Sequence, residues 1–197
     1  MAAKLEENQG ELEQALILLK GGLETQPFDP KLHFRISQLM ARLHPEAKNE
    51  ICGHFEAALL ASARDFQPRL AYGAYLFSQR EFAKAKEQFA ALDQLVVPNR
   101  VRFEPRYVDF GTLSKRHSGV IRSLSYDHGI IEFSNGEAEI HFNTPQLPFH
   151  VRKCLNVGTR IGFDIRFNLK GPVAINVSLA AVSDQLPLDF REPRLDI

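Results

Sequence analysis

Before Pro98 the apolar residues of this chain recur every third and fourth position, and after Ser118 they recur every second one. A period near 3.6 buries one stripe of a helix, whereas a period of two buries one face of a strand. One element cannot serve both patterns, so the 197 residues must divide into a helical part and a β part. We read an α+β multidomain chain. Helical α-α repeats occupy 1–98, a linker with strand tendency 99–117, a five-stranded antiparallel β-barrel 118–180, and an extended tail carrying Pro187 and Pro193 occupies 181–197.

Breaks at Pro27, Pro30, Pro45 and Pro68 predict about five helices over residues 5–95. Three times a smaller residue is followed four later by a large one: Ala15 and Leu19, Ile51 and Phe55, Ala85 and Phe89, at intervals of 36 and 34 residues. Tyr72-Gly73 with Leu76, then Phe82, Ala85 and Pro98 complete the last copy, and Ile36-Ser37 with Met40 repeat its opening. The pattern resembles the tetratricopeptide repeat, with Arg69 where that repeat usually has Trp. The resemblance implies helix pairs that bury their apolar faces by stacking on neighbours. It places Leu16, Leu19, Leu39, Phe55, Leu59, Tyr72, Leu76, Phe82, Phe89 and Leu92 in the core, and it implies docking of a protein partner. Glu11 to Leu23 matches only the second helix of a repeat, so its partner helix is expected before Met1, in a longer chain. In the linker Arg100, Arg102 and Arg106 alternate with Phe103, Tyr107 and Phe110, which packing of an extended segment explains better than a nucleic-acid arm.

The strands expected in the β part are Val120 to Arg122, Gly129 to Phe133, Glu139 to Phe142, Arg160 to Phe167 and Pro172 to Leu179, with Asn135-Gly136 as a two-residue hairpin signal. Short strands with a long third connection match the OB type of barrel. Within it Arg122, His128-Gly129, the pair His141 and Phe142, and the closing Lys170-Gly-Pro-Val-Ala-Ile-Asn-Val177 resemble the cold-shock domain. That family binds single strands by stacking bases on aromatic side chains of strands two and three. Here Ser123 and Leu124 stand where strand one has its Trp and Phe, Ile130-Ile131 where strand two has its phenylalanines, and Glu139 where an exposed Phe stacks. The resemblance implies single-stranded nucleic acid, RNA before DNA, held by Lys115, Arg116, Arg122, Tyr126, His128, His141 and Phe142. Each stack is worth roughly 1–3 kcal/mol, so the loss of three or four leaves weak, salt-sensitive binding carried by phosphate contacts.

Charge leans the same way: 99–180 carries 11 Lys/Arg against 7 Asp/Glu, or +4, and 1–98 carries 11 against 13, or −2. Two cysteines, Cys52 and Cys154, and seven scattered histidines offer no ligand spacing for a metal, and no Gly-rich phosphate loop occurs. Lys20-Gly21-Gly22 reads as a helix end or packing position. No cofactor, small-molecule substrate or catalytic constellation is expected. The start lacks the apolar run of a signal peptide and no stretch is long enough for a membrane span, so a cytoplasmic protein is expected. The layout resembles the C-terminal end of large bacterial signalling and defence NTPases. It leaves two readings: a non-enzymatic module whose barrel binds nucleic acid weakly while the repeats dock a protein, or an interaction scaffold or sensor end whose barrel has lost nucleic acid.

Overall fold

The computed structural model describes residues 11–60, 65–108, 110, 113 and 115–180, and the tail 181–197 lies outside these. Among the described residues two compact units form. The first runs to Lys115 and includes Ile165–Val173, and the second comprises Arg116–Asp164 and resumes at Ala174.

The first unit begins with helices α1 (Leu12–Thr25), α2 (Pro30–Leu43), α3 (Lys48–Leu60), α4 (Phe66–Ser78) and α5 (Phe82–Asp93), followed by the short α6 (Asn99–Phe103). Local chemistry starts two of them. Pro30 sits in the first turn of α2, where a missing N–H costs nothing, and the Asp29 carboxylate accepts from the backbone N–H of Lys31 at 2.7 Å and of Leu32 at 3.3 Å. Asp65 likewise accepts from the N–H of Gln67 at 2.9 Å to open α4. Lys20-Gly21-Gly22 falls inside α1, which continues to Thr25, so these glycines do not end the helix.

The recurring residues form the core of this unit. Ala15, Leu19, Ile51, Phe55, Ala85 and Phe89 are all buried, as are the other expected core residues except Leu59 and Phe82, which are half-buried. At Gly73 a β-carbon would stand 2.9 Å from Cζ of Phe89, so only glycine lets α4 and α5 approach this closely. Phe110 is buried edge-on against Tyr75, with ring centroids 5.5 Å apart.

A hairpin tip completes the same core. Phe167 lies parallel to Phe89, at 5.8 Å and 11°, and edge-on to Phe77, at 5.7 Å and 76°. Leu169 is fully buried beside it. The segment after α6 pairs with this tip: the N–H of Arg106 donates to Phe167 O at 2.7 Å, that of Phe167 to Arg106 O at 3.0 Å, and that of Leu169 to Arg102 O at 3.1 Å.

The barrel has strands β1 (His117–Leu124), β2 (His128–Phe133), β3 (Ala138–Asn143), β4 (Arg160–Asn168) and β5 (Gly171–Leu179), with a short helix α7 (Phe149–Arg152) between β3 and β4. It closes in the order β1-β2-β3-β5-β4. β1 is antiparallel to β2 and β4, β2 is antiparallel to β3, and the chain reverses over Leu169–Lys170 between β4 and β5. β3 and β5 therefore run in the same direction. The barrel is mixed rather than purely antiparallel, because a closed ring of five strands cannot alternate direction at every step. Four residues, 134–137, rather than two connect β2 to β3, with Ser134, Asn135 and Gly136 all at positive φ. Ile121, Ile131, Ile140, Ile161 and Phe163 fill the interior.

Candidate nucleic-acid interface

Strand alternation decides which side chains the outer surface of β1, β2 and β3 offers. In β3, Ala138, Ile140 and Phe142 point in, and Glu139, His141 and Asn143 point out. The register sets Ile130 opposite His141 and Glu132 opposite Glu139 across β2 and β3, with Val120 opposite Glu132 and Ser123 opposite Ile130 across β1 and β2. The outward row thus has Ile130, Glu132 and Glu139 beside the His141 imidazole, where a stacking barrel needs a succession of rings.

Arg122 lies in the irregular step of β1 between Ile121 and Ser123, and its guanidinium is ion-paired with the Glu139 carboxylate. Glu132 and Glu139, facing each other as like charges, repel across β2 and β3, and Arg122 relieves that repulsion. An ion pair as exposed as this one contributes at most about 1 kcal/mol to stability. Its effect on ligands is larger, since one cation faces two carboxylates on this surface.

The other predicted residues do not converge there. Phe142 is only 3% exposed, with its ring against Gly129, where a β-carbon would fall 2.2 Å from Phe142 Cζ. It belongs to the core and has no open face for a base. Arg116 donates to the carbonyls of Gly162 at 3.2 Å and Asn176 at 3.1 Å and to Ser178 Oγ at 2.5 Å, and it pairs with Asp164 at 3.3 Å. It thereby ties β4 to β5. His128 Nδ1 lies 2.7 Å from Asp127 Oδ1 and 2.9 Å from Ser125 Oγ, and the His128 bond, with that of Ser125, holds the Asp127 carboxyl below its usual range. Tyr126 is 90% exposed in the β1–β2 loop, and Lys115 is exposed just before β1. His141 is exposed on the outer face beside Ile130.

No protein-family model matches the chain, and no curated protein matches it. The site must therefore be judged on its own geometry. Among the described residues no group of three or more His, Cys, Asp or Glu is placed to hold a metal ion, and no helix is long and apolar enough to cross a membrane.

One surface of the barrel unit was missed by residue-level reasoning. Phe149 on α7 is exposed, with Lys153 Nζ 4.5 Å and the Arg152 guanidinium 5.9 Å from its ring centroid, while Val151 and Leu155 are buried. The signal was present in the sequence, because 144–160 contains Arg152, Lys153 and Arg160 and no Asp or Glu.

Proposed function

We propose that this chain is a non-enzymatic interaction scaffold, in which helical repeats of the tetratricopeptide type dock a protein partner and a cold-shock-like barrel has lost single-strand binding. One observation carries this reading: the outer face of β1–β3 presents Ile130, Glu132, Glu139 and His141, with Arg122 paired to Glu139. With Ile130, Glu132 and Glu139 in place of aromatic rings, the surface forfeits roughly 1–3 kcal/mol for each base those positions would have stacked. With two carboxylates against one guanidinium it also repels phosphates. The scaffold would work in the reducing cytoplasm, which the two free cysteines support, as the sensor or adaptor end of a larger NTPase.

A titration with a fluorescent oligouridine of about ten nucleotides at low salt tests this reading. The protein should show no binding in the micromolar range, and the double variant Glu132→Gln, Glu139→Gln, which releases Arg122, should strengthen whatever weak association remains. Micromolar binding by the unaltered protein that is lost in Arg122→Ala or His141→Ala would reinstate the barrel face as a nucleic-acid site. A second reading rests on Phe149, Arg152 and Lys153, which lie in a stretch of sequence, 144–160, without Asp or Glu, a composition that favours polyanions. It predicts oligouridine binding that is removed by Arg152→Glu with Lys153→Glu and unmoved by Arg122→Ala.

A further inference from the structure

Within the helical unit several surface cations meet acids. Lys20 meets Glu50 at 3.0 Å, and Glu81 takes both Lys48 and Lys84. Cations outnumber acids along the edge where α6 and the segment after it run beside the hairpin tip. Over 99–108 and 165–173 there are five cations, Arg100, Arg102, Arg106, Arg166 and Lys170, against one acid, Glu104. Asp93 of α5 adds a second acid, and Asp109, next in sequence, lies outside the described residues.

Two of the five hold the fold. Arg102 donates to Asp93 Oδ1 at 2.5 Å and to Leu95 O at 2.6 Å, and Arg106 donates to Val101 O at 2.7 Å while lying over the Phe66 ring at 5.0 Å. Arg100 is exposed. Lys170 lies 5.7 Å from the centroid of Phe103, with a loose 3.6 Å pairing to Asp93, and Arg166 lies 4.6 Å from that of Tyr107. Both rings remain about half exposed, Phe103 at 51% and Tyr107 at 55%. The bridge between Arg106 and Phe167 and the bond from Leu169 to Arg102 hold the two segments side by side.

We propose that this edge is the docking surface for an acidic peptide segment of a partner protein, one that alternates carboxylates with apolar side chains. This deepens the scaffold reading and rests on it. Arg166, over the Tyr107 ring and with one N–H donating to Ile165 O at 3.0 Å, is held in place and has further N–H donors in its fork to offer a carboxylate. The half-exposed rings beside each cation accept the intervening apolar side chains. A single-stranded nucleic acid fits less well, because it needs open ring faces in succession and here each ring already has a cation over it.

The test uses the full chain and a fluorescent peptide of about ten residues alternating Asp or Glu with Leu or Phe, followed by anisotropy at low salt. Binding in about the micromolar range is expected, weakening steeply as added salt shortens the screening length. Arg100→Glu with Lys170→Glu, both exposed positions, should weaken it at least about tenfold, or about 1.4 kcal/mol, with the thermal melt unchanged. Arg166→Gln, which keeps the side chain polar, should weaken it in the same direction. Arg122→Glu on the barrel should leave it unaltered. Absence of peptide binding, peptide binding indifferent to these variants of the edge, or tighter binding of oligouridine at this edge would each overturn the proposal. The scaffold reading fails separately, by oligouridine binding sensitive to Arg122 and His141.

Discussion

Replacing Phe167 by Ala removes a ring that lies in a β-strand by sequence and in the helical core by position. The side chain is 1% exposed, parallel to Phe89 and edge-on to Phe77, so its loss deletes apolar burial and two aromatic contacts and leaves a cavity beside the fully buried Leu169. Such truncations cost about 3–5 kcal/mol, a large part of the roughly 5–15 kcal/mol that holds a typical domain folded. At about 2–4 °C per kcal/mol for a chain of this size, the melting midpoint should fall by about 6–20 °C. Urea denaturation followed by far-ultraviolet circular dichroism, which reports mainly on the helices, is the assay. Phe167→Leu, which keeps most of the apolar volume, should cost less than half as much. A loss below about 1 kcal/mol for Phe167→Ala, the level of an ordinary surface change, would show that the hairpin tip is not part of the helical core.

Gly129→Ala places a β-carbon 2.2 Å from the Phe142 ring and should destabilise by about 1–3 kcal/mol or more, with Phe142→Leu in the same chain recovering part of it, as urea midpoints would show. Asp29→Ala removes the acceptor for two N–H groups at the start of α2 and should cost about 1 kcal/mol, with Asp29→Ser close to neutral in the same melts. His54 Nδ1 lies 2.8 Å from His33 Nδ1, and burial, then the neighbouring His33, holds the His54 pKa below its ordinary 6.5 against the opposing pull of Glu50. The unfolded chain then takes up a proton that the folded one refuses, so stability present above pH 6.5 should decline as pH falls from there towards the folded value. His54→Phe should remove that decline, and a pH series of urea midpoints that is flat between pH 7 and about 5 in the unaltered protein would refute the assignment.

Much of the architecture was legible because burial writes itself into spacing. The pairs Ala15 with Leu19, Ile51 with Phe55 and Ala85 with Phe89 all reached the helical core, and each of the five strands appeared within a few residues of its expected limits. The same rule placed Phe142 inside, since it shares a face with Ile140 two residues earlier. Grouping it with outward-facing His141 set the alternation aside. Other features leave no trace in a single sequence. Phe167 closes the expected strand Arg160 to Phe167 and Leu169 follows in the turn, and nothing local says which interior they enter. Arg116 carries the same charge whether it meets a phosphate or, as here, strand carbonyls. The ion pair of Arg122 with Glu139 links residues 17 apart and depends on register, which only the assembled sheet defines.

The hairpin tip also bears on how the chain is made. Phe77 and Phe89 belong to helices that leave the ribosome early, but Phe167 and Leu169, which cover that part of the core, follow more than seventy residues after α5 begins at Phe82. At about 5–20 residues per second, the nascent helical segment waits several seconds with that apolar surface uncovered. During this interval the growing chain is a natural client for chaperones that recognise exposed aromatic residues, and a truncated product ending before Ile165 keeps the exposure permanently.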